Sequence, residues 1–470
     1  MTVTQILQQV DDWVSLTILL IILAAGGFLF SFRTRFVQIR HFKESCRLIA
    51  EPPHDSKRVT SFQALMVSTA SRVGTGNIAG VASALCIGGA GSLFWMWFMC
   101  VVGAASAFTE STLAQIYKKK DEDGNAFGGP AYYIEKVMKG KRWLSLAFCF
   151  FLLMTYSFGF NLLASYNLQE TFATYSFYNK WTPIIVGAVL AALAGYCLFG
   201  GGKRILKITS TLVPAMGIFY VIVSLIVIIT HFRNIPHMFG MIFSNAFDFR
   251  SIFGGFAGSC MVLGVKRGLF SNEAGVGSAP NASASAHVSH PVKQGLVQTV
   301  SVYIDTMLLC TATGLMCLSS GAEFGPDVKA TNFVQAAVSS TFGKVGPVFI
   351  TIAMALFAFT TLLGNLYYAD NALAYWNHKQ KPGRKFMVGF NIYAILVIFI
   401  GASLEAEAVW ALADLSMAGM VIINIPIIAV LSKQAVDALK DYEKQKKAGQ
   451  DPVFHAKDIG LDPDEFDFWK

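Results

Sequence analysis

Two stretches of the sequence place glycine and polar residues inside long apolar segments. Residues 71–80 read SRVGTGNIAG, and residues 264–278 read GVKRGLFSNEAGVGS. Because glycine tolerates non-helical dihedral angles, we expect a helix to unwind at each stretch. Unwound backbone leaves N–H and C=O groups free to bind a ligand, and Asn77 adds a side-chain oxygen or amide at the first stretch.

The chemistry of such breaks suits a zwitterion. The N-terminus of a half helix presents free N–H groups and a positive dipole end to a carboxylate, whereas unwound carbonyls suit a cation or an ammonium group. Close packing of small residues is the competing explanation, and it suffices for Gly187, Gly195, Gly314 and Gly401. It does not explain the charged and amide residues within the two stretches. We therefore expect a binding site there.

The elements that carry these stretches are predicted to be membrane-spanning helices. The chain has 470 residues, of which 54% are hydrophobic and 14% charged, with a mean hydropathy of +0.51. An ordinary soluble domain is about 25% charged. Each apolar segment can cross a hydrocarbon core of about 30 Å. The predicted segments are residues 13–31, 61–89, 92–117, 143–167, 182–200, 208–230, 252–289, 292–318, 345–374, 386–403 and 408–432.

The basic residues predict the orientation of these segments. Of the 37 Lys and Arg residues, 29 fall in alternate loops and in the C-terminal tail, which is the bias of cytoplasmic loops. The N-terminus is therefore predicted outside and the C-terminus in the cytoplasm. The first span carries no cleavage pattern and is predicted to be retained. Because the net charge of +8 belongs to loops, no nucleic-acid partner is expected.

The order of the segments predicts an internal repeat. The broken segments are the second and the seventh, and each opens a block of five. Five is odd, so the second block starts from the opposite side of the membrane, as in the inverted repeats of transporters. The predicted divisions are an N-terminal segment with one extra helix and a cytoplasmic loop (1–60), two five-helix repeats (61–230 and 250–432) and a cytoplasmic tail (433–470).

Several stretches resemble the alanine or glycine:cation symporter family, also called the sodium:alanine symporters. Residues 88–97 read GGAGSLFWMW, which is similar to the signature of that family, and the resemblance extends over about residues 10–435. It implies a leucine-transporter-like fold, all-α with about eleven transmembrane helices and a five-plus-five inverted repeat. It also implies import of a small neutral amino acid with a cation into a prokaryotic cell. Further similar stretches are residues 72–82, 108–110, 128–134, 266–280 and 305–313.

The resemblance implies a set of site residues. The substrate would lie between the two breaks and the ninth span, and no catalytic residue and no cofactor other than the coupling ion is expected. The carbonyls of Ala70 and Val73 with the hydroxyls of Thr360 and Thr361 would hold sodium, since a hard cation prefers oxygen ligands. The implied substrate-binding residues are Gly74, Thr75, Gly76, Asn77, Asn161, Phe270, Ser271, Asn272, Thr361 and Asn365.

The sequence departs from the family pattern near the expected pocket. Asn365 stands where the family usually has Trp, and Ala164 and Tyr166 stand where Gln and Asn are common. A short amide in place of an indole leaves room for a longer or more polar side chain. The resemblance makes alanine and glycine the first expected substrates, and the departure at Asn365 adds serine and glutamine as further candidates.

Charged residues within the spans have two explanations, structural pairing or function. Lys266 and Arg267 are predicted to pair with a carboxylate as a gate or a brace. The others are Arg72, Glu110, Glu273, Asp305, Asp370 and Asp414.

The leading prediction is a sodium-coupled symporter that works by alternating access. Proton coupling is the alternative, and a channel and an intramembrane enzyme are carried as weaker ones. No histidine shares a span centre with a nucleophile, which argues against an enzyme. The eight scattered cysteines indicate neither a metal site nor disulfides. The oligomeric state stays open.

Overall fold

A computed structural model describes residues 3–14, 18–52, 58–121, 124–248, 259–404 and 406–470. Parts of three predicted features lie outside these residues: 15–17 of the first span, 53–57 of the first loop, and 250–258, where the second repeat and the seventh segment were predicted to begin.

Helices make up nearly all of the described structure. Those of the first half are α1 (Val3–Val14), α2 (Leu20–Arg33), α3 (Val37–Arg40), α4 (Phe42–Ile49), α5 (Ser61–Arg72), α6 (Ala79–Gly88), α7 (Gly91–Ile116), α8 (Pro130–Val137), α9 (Trp143–Leu153), α10 (Phe160–Glu170), α11 (Thr182–Leu198), α12 (Gly201–Thr230) and α13 (Ile235–Ala246). Two-residue strands, β1 (Lys119–Lys120) and β2 (Ala126–Phe127), pair in antiparallel fashion between α7 and α8.

The second half continues in the same way. Its helices are α14 (Cys260–Asn272), α15 (Ala279–Ser283), α16 (Pro291–Val302), α17 (Thr311–Ser319), α18 (Ala330–Phe342), α19 (Val345–Trp376), α20 (Arg384–Gly401) and α21 (Ala406–Lys447). Two π-helical turns, Met154–Gly159 and Tyr303–Cys310, join α9 to α10 and α16 to α17.

The prediction of an all-α, multi-pass architecture is confirmed. Every predicted apolar segment coincides with a helix or a broken helix in the described residues. The number of eleven crossings stays a prediction, because α2, α11 and the stretch Thr75–Gly88 are apolar but shorter than a full span. The helices long and apolar enough to cross a membrane are Gly91–Ile116, Trp143–Thr174, Gly201–Thr230, Pro291–Ser319, Val345–Trp376, Arg384–Gly401 and Ala408–Lys447.

The first predicted break is present. Helix α5 begins with a capping box in which the Thr60 hydroxyl accepts from Gln63 N–H at 3.1 Å, and it ends at Arg72. A single 3₁₀ turn, Thr75–Asn77, precedes α6. The Asn77 side-chain oxygen accepts the N–H of Gly74 at 2.8 Å. The asparagine thus holds the unwound turn in place.

The second predicted break is also present. Helix α14 ends at Asn272, and residues 273–278 are non-helical, with positive φ at Glu273, Gly275 and Gly277. Such angles are strained for residues that carry a Cβ, which explains the two glycines. The Glu110 carboxylate accepts the N–H groups of Gly275 at 3.3 Å and Gly277 at 3.1 Å. This buried acid of α7 stabilises the unwound segment.

The two broken helices run in opposite directions. Val59, just before α5, accepts a hydrogen bond from the His287 N–H at 2.9 Å, beyond the end of α15. At the other end, a Cβ on Gly88 would lie 3.2 Å from the Cα of Cys260, where α14 begins. We call the side with Gly88, Cys260 and α1 the N-helix face and the opposite side the tail face.

The tail after α21 packs on the tail face. Trp469 is buried, and its indole N–H donates to the Gln115 carbonyl at 2.8 Å. The buried Lys118 ammonium lies 4.5 Å from the Trp469 ring and 4.7 Å from that of Phe468. Asp467 pairs with Lys119 at 3.1 Å. The sequence analysis assigned no site to this tail, and the structure shows that it packs on this face.

Candidate functional site

A small cavity lies where the two breaks meet α10 and α19. It leaves 20 Å³ for the centre of a water molecule, which is room for about one water. Its lining residues are Ser71, Arg72, Gly74, Thr75, Gly76, Phe160, Leu163, Phe270, Ser271 and Thr361. Six of these, Gly74, Thr75, Gly76, Phe270, Ser271 and Thr361, were predicted as substrate-binding residues from the sequence.

The glycines of the first break allow the chain to approach its neighbours closely. A Cβ on Gly74 would overlap the Thr361 hydroxyl, and one on Gly76 would lie 3.3 Å from the Phe270 ring. Thr75 is fixed by the Asn167 amide, which donates to its hydroxyl oxygen at 2.9 Å. Glycine is therefore required at position 74.

Two buried side chains at the cavity, Thr361 and Arg72, have polar atoms without a hydrogen-bond partner among the described residues. The Thr361 hydroxyl has none, although the residue is only 6% exposed, and Arg72 leaves Nε and Nη2 unpaired at 2% exposure. The third guanidinium nitrogen, Nη1, donates to Gln298 at 3.3 Å. Leaving buried polar groups unpaired costs free energy, and at Thr361 and Arg72 these groups border the cavity, where a ligand would be placed to pair them.

An aromatic layer covers the cavity towards the N-helix face. The ring of Phe270 lies 4.6 Å from that of Phe160 and 5.0 Å from that of Trp410. Phe160 and Leu163 were not predicted as site residues. They lie one helical turn apart in an apolar helix, which gave no signal to distinguish them from lipid-facing or core residues.

The remaining predicted substrate residues lie beside the cavity. The Asn77 amide donates to Asp305 Oδ1 at 2.7 Å, and the Asn365 amide donates to Asn161 Oδ1 at 3.1 Å. The Asn272 side-chain oxygen accepts the N–H of Ala274 at 3.0 Å. All of these asparagines are buried and hold the walls of the site together.

Three of the four predicted sodium ligands, Ala70, Val73 and Thr361, lie at the end of α5. Ala70 and Val73 lie fully buried in its last turn and C-cap. Thr361 faces Gly74, whereas the Thr360 hydroxyl donates to carbonyls of its own helix at 3.0 and 3.1 Å and lies near Met216. Thr361 is thus the hydroxyl of the pair that points at the break.

Three fully buried carboxylates surround the breaks. Glu273 lies 3.1 Å from the Ser71 hydroxyl, and Asp305 Oδ2 accepts from the Ser271 hydroxyl at 2.8 Å. Glu110 binds the second break as described above. Among the described residues, none of the three has a basic nitrogen within 4 Å, so each is held by neutral donors.

The predicted pairing of Lys266 and Arg267 is present. Lys266 lies 3.1 Å and Arg267 3.3 Å from the Asp414 carboxylate of α21. Both bases line a vestibule of 480 Å³ that opens on the N-helix face. The layer of Phe270 and Trp410 separates this vestibule from the small cavity.

Membrane-spanning helices with two opposed breaks and a buried polar cavity between them define a secondary transporter. A comparison with known protein families then identifies the kind of secondary transporter. The model of the sodium:alanine symporter family matches residues 1–456, and the chain belongs to that family. It is therefore a multi-pass membrane transporter that moves an amino acid with a cation, and it is not an enzyme.

Curated relatives agree with this assignment over nearly their whole length. The chain is 43% identical to the amino-acid carrier protein AlsT of Bacillus subtilis, covering 93% of this chain and 92% of that protein. It is 40% identical to the probable sodium/glutamine symporter GlnT of the same organism, with coverage of 96% and 93%. It is 42% identical to the putative sodium/proton-dependent alanine carrier protein YrbD, also of B. subtilis, with coverage of 96% and 94%.

Proposed function

We propose that the protein imports a small neutral amino acid, alanine or glycine first, together with sodium into a prokaryotic cell. The N-helix face lies outside and the tail face in the cytoplasm, since the basic loops follow this division. The tail covers the tail face, and the layer of Phe270 and Trp410 separates the open vestibule from the cavity, so substrate from outside must pass this layer to reach the site. Transport proceeds by alternating access around the fixed site.

The unpaired Thr361 hydroxyl carries the assignment of sodium. It faces the end of α5, where the Gly74 N–H is taken by Asn77 and does not bond back to Ala70. The Ala70 carbonyl is left without its helical partner, as is usual at a helix C-terminus. Together with the Val73 carbonyl, these oxygens suit a hard monovalent cation.

The backbone at the two breaks supplies the groups for a zwitterion. The N–H groups of Thr75 and Gly76 precede α6, whose N-terminus favours a carboxylate. The last turn of α14, at Phe270 and Ser271, offers carbonyls to an ammonium group.

The choice among small amino acids depends on Asn365 as well. This residue is fully buried, and Ser71, which lines the cavity, lies 2.9 Å from its side-chain oxygen. It thus acts on the cavity from behind, through Ser71. Serine or glutamine remains the further candidate that the sequence suggests.

Proton coupling is the second candidate. Glu110, Glu273 and Asp305 favour it, because these carboxylates are fully buried with no basic nitrogen within 4 Å among the described residues, and a buried charge is costly unless it is neutralised. A proton carried on one of these carboxylates would be driven inward by the same membrane potential as sodium.

The test is uptake by the purified protein in proteoliposomes. A panel of labelled amino acids is offered with sodium, or with choline in its place, at fixed pH. We expect uptake of alanine and glycine that requires sodium and survives a proton ionophore. At about 100 mV and a tenfold gradient, one sodium ion supplies about 3.7 kcal/mol. Uptake that ignores sodium and collapses with the ionophore would support the proton instead.

A further inference from the structure

Four charged side chains form a balanced cluster on the N-helix face. Lys266 Nζ lies 2.5 Å from Asp11 Oδ2 and 3.1 Å from Asp414 Oδ2, and Arg267 Nη1 lies 3.3 Å from the same Asp414 oxygen. The side chains are 13% exposed or less. Two acids offset two bases. Without Asp11, Lys266 and Arg267 would share a single carboxylate.

This cluster is continuous with the aromatic layer above the cavity. The Arg267 guanidinium lies 4.0 Å from the Trp410 ring and 5.7 Å from the Phe270 ring. A displacement of Arg267 therefore acts on Phe270, which lines the cavity. The charged cluster and the aromatic layer are therefore in direct contact through Arg267, so a movement of one moves the other.

The fourth charge comes from outside the two repeats. Helix α1 packs along the start of α21, and its residues Gln8, Asp11 and Asp12 form one wall of the vestibule. Asp11 is 6% exposed and points at Lys266, whereas the adjacent Asp12 is exposed. Helix α1 thus presents two adjacent acids to the vestibule. Asp11 is paired and buried, and the exposed Asp12 serves as its control.

We propose that α1 completes the outer gate of the transporter, with Asp11 as a positioning residue that holds Lys266 and so lets Arg267 close over the cavity with Asp414. This inference rests on the proposed transport function for its direction. The gate of this chain is then built from the extra N-terminal helix as well as from the repeats. Neutralising Asp11 leaves Lys266 to compete with Arg267 for Asp414, and the aromatic layer loosens.

The first experiment is a charge exchange read by alanine uptake. Asp11→Lys and Lys266→Asp each place like charges together, and we expect each to lower uptake about tenfold or more. The double variant restores opposite charges between positions 11 and 266 but leaves acids side by side at positions 266 and 414, so we expect it to recover part of the uptake. Asp12→Lys makes the same change in charge in the same vestibule and should stay within about twofold of wild type.

The second experiment does not require transport. Ala79 is 2% exposed and lines the vestibule, and its neighbour Gly80 faces Trp410 and Arg267. Ala79→Cys is placed in a Cys46→Ser background, because Cys46 is the exposed cysteine among the eight. An impermeant maleimide should label purified Asp11→Asn about fivefold faster than its parent at equal thermal stability, and Asp12→Asn at the parental rate.

The outcomes separate the two proposals. A wild type that transports no amino acid fails the proposed function, but leaves the labelling result to decide on the gate. Equal labelling of Asp11→Asn and its parent overturns the gate. So does a double charge exchange that folds and still transports no better than the single variants. If Asp12→Lys lowers alanine uptake as much as Asp11→Lys does, the loss reflects the overall charge of the vestibule, and the proposed role of Asp11 is wrong.

Discussion

Replacing Thr361 with valine separates a ligand from a structural hydroxyl. Thr361→Val keeps the shape of the side chain and removes one oxygen. That oxygen is buried and has no hydrogen-bond partner among the described residues. Burying an unpaired polar group costs about 1–3 kcal/mol, so its removal should leave the ion-free protein as stable as wild type or more stable.

In the presence of sodium we expect the opposite effect, with the variant less stable than wild type. A contact between a neutral oxygen and a charged group contributes about 1.5–3 kcal/mol, so losing it should weaken sodium binding about 10-fold to 100-fold. At a sodium concentration of about 100 Kd, wild type gains about 2.7 kcal/mol of stability. A variant that binds about 30-fold more weakly would gain about 0.9 kcal/mol under the same conditions.

Thermal unfolding of the purified protein in matched sodium and choline buffers measures both effects. Thr351→Val is the control, because Thr351 lies in the same helix, α19, and donates to the Pro347 carbonyl away from the site. We expect sodium to protect this control as it protects wild type. If Thr361→Val keeps the full sodium-dependent shift and is destabilised in choline, the hydroxyl has a structural role and the assignment of the cation site is wrong.

Four further outcomes follow from the geometry. Gly74→Ala should reach the membrane but lose sodium-dependent uptake by at least about tenfold, because its Cβ would overlap a site hydroxyl, whereas Gly217→Ala, which has open space around it, should be silent in the same assay. If Asn365 admits polar side chains, glutamine and serine should compete with alanine uptake in wild type and lose that ability in Asn365→Leu; unchanged inhibition would remove Asn365 from the selectivity of the site. Trp469→Ala should lower thermal stability and increase proteolysis of the tail, since it removes a buried indole and its hydrogen bond; a protease pattern equal to that of wild type would contradict the docked tail. Burial, with a smaller effect of a neighbouring acid, raises the pKa of Asp11 to about 6, so lowering the external pH through 6 should protonate it and bring the maleimide labelling rate of the vestibule cysteine in the parent up to that of Asp11→Asn measured at the same pH.

The breaks could be predicted from sequence because their signal is local. Glycine and polar residues at 74–77 and 273–277 contradict the surrounding apolar pattern, and the structure unwinds at both places. The apolar segments located the long helices of the repeats for the same reason, but they missed α8 and α18, which lie between the predicted segments. The opposed direction of the two halves followed from counting segments, and the contact of Val59 with His287 agrees with it.

The partners of the polar side chains could not be predicted. Glu110 and the glycines that it binds are more than 160 residues apart, and Asp11 and Lys266 are 255 apart. Nothing in the local pattern of either residue specifies such a pair, since it depends on how whole helices pack. The docking of Trp469 on Gln115 belongs to the same class. Buried positions are recognised in a sequence by a repeating apolar pattern, and a single aromatic residue in a polar tail forms no such pattern.

The most direct test of sodium-coupled symport is the simultaneous flux of labelled sodium and labelled alanine into proteoliposomes without any other ion gradient. An inward gradient of alanine alone should drive sodium inward in a fixed ratio, and an inward gradient of sodium should drive alanine in the same ratio. Gly74→Ala should abolish both fluxes together, because the proposed sites for both ligands lie at the same break. Alanine flux that is unaffected by sodium, or sodium flux that persists in Gly74→Ala, would contradict the account.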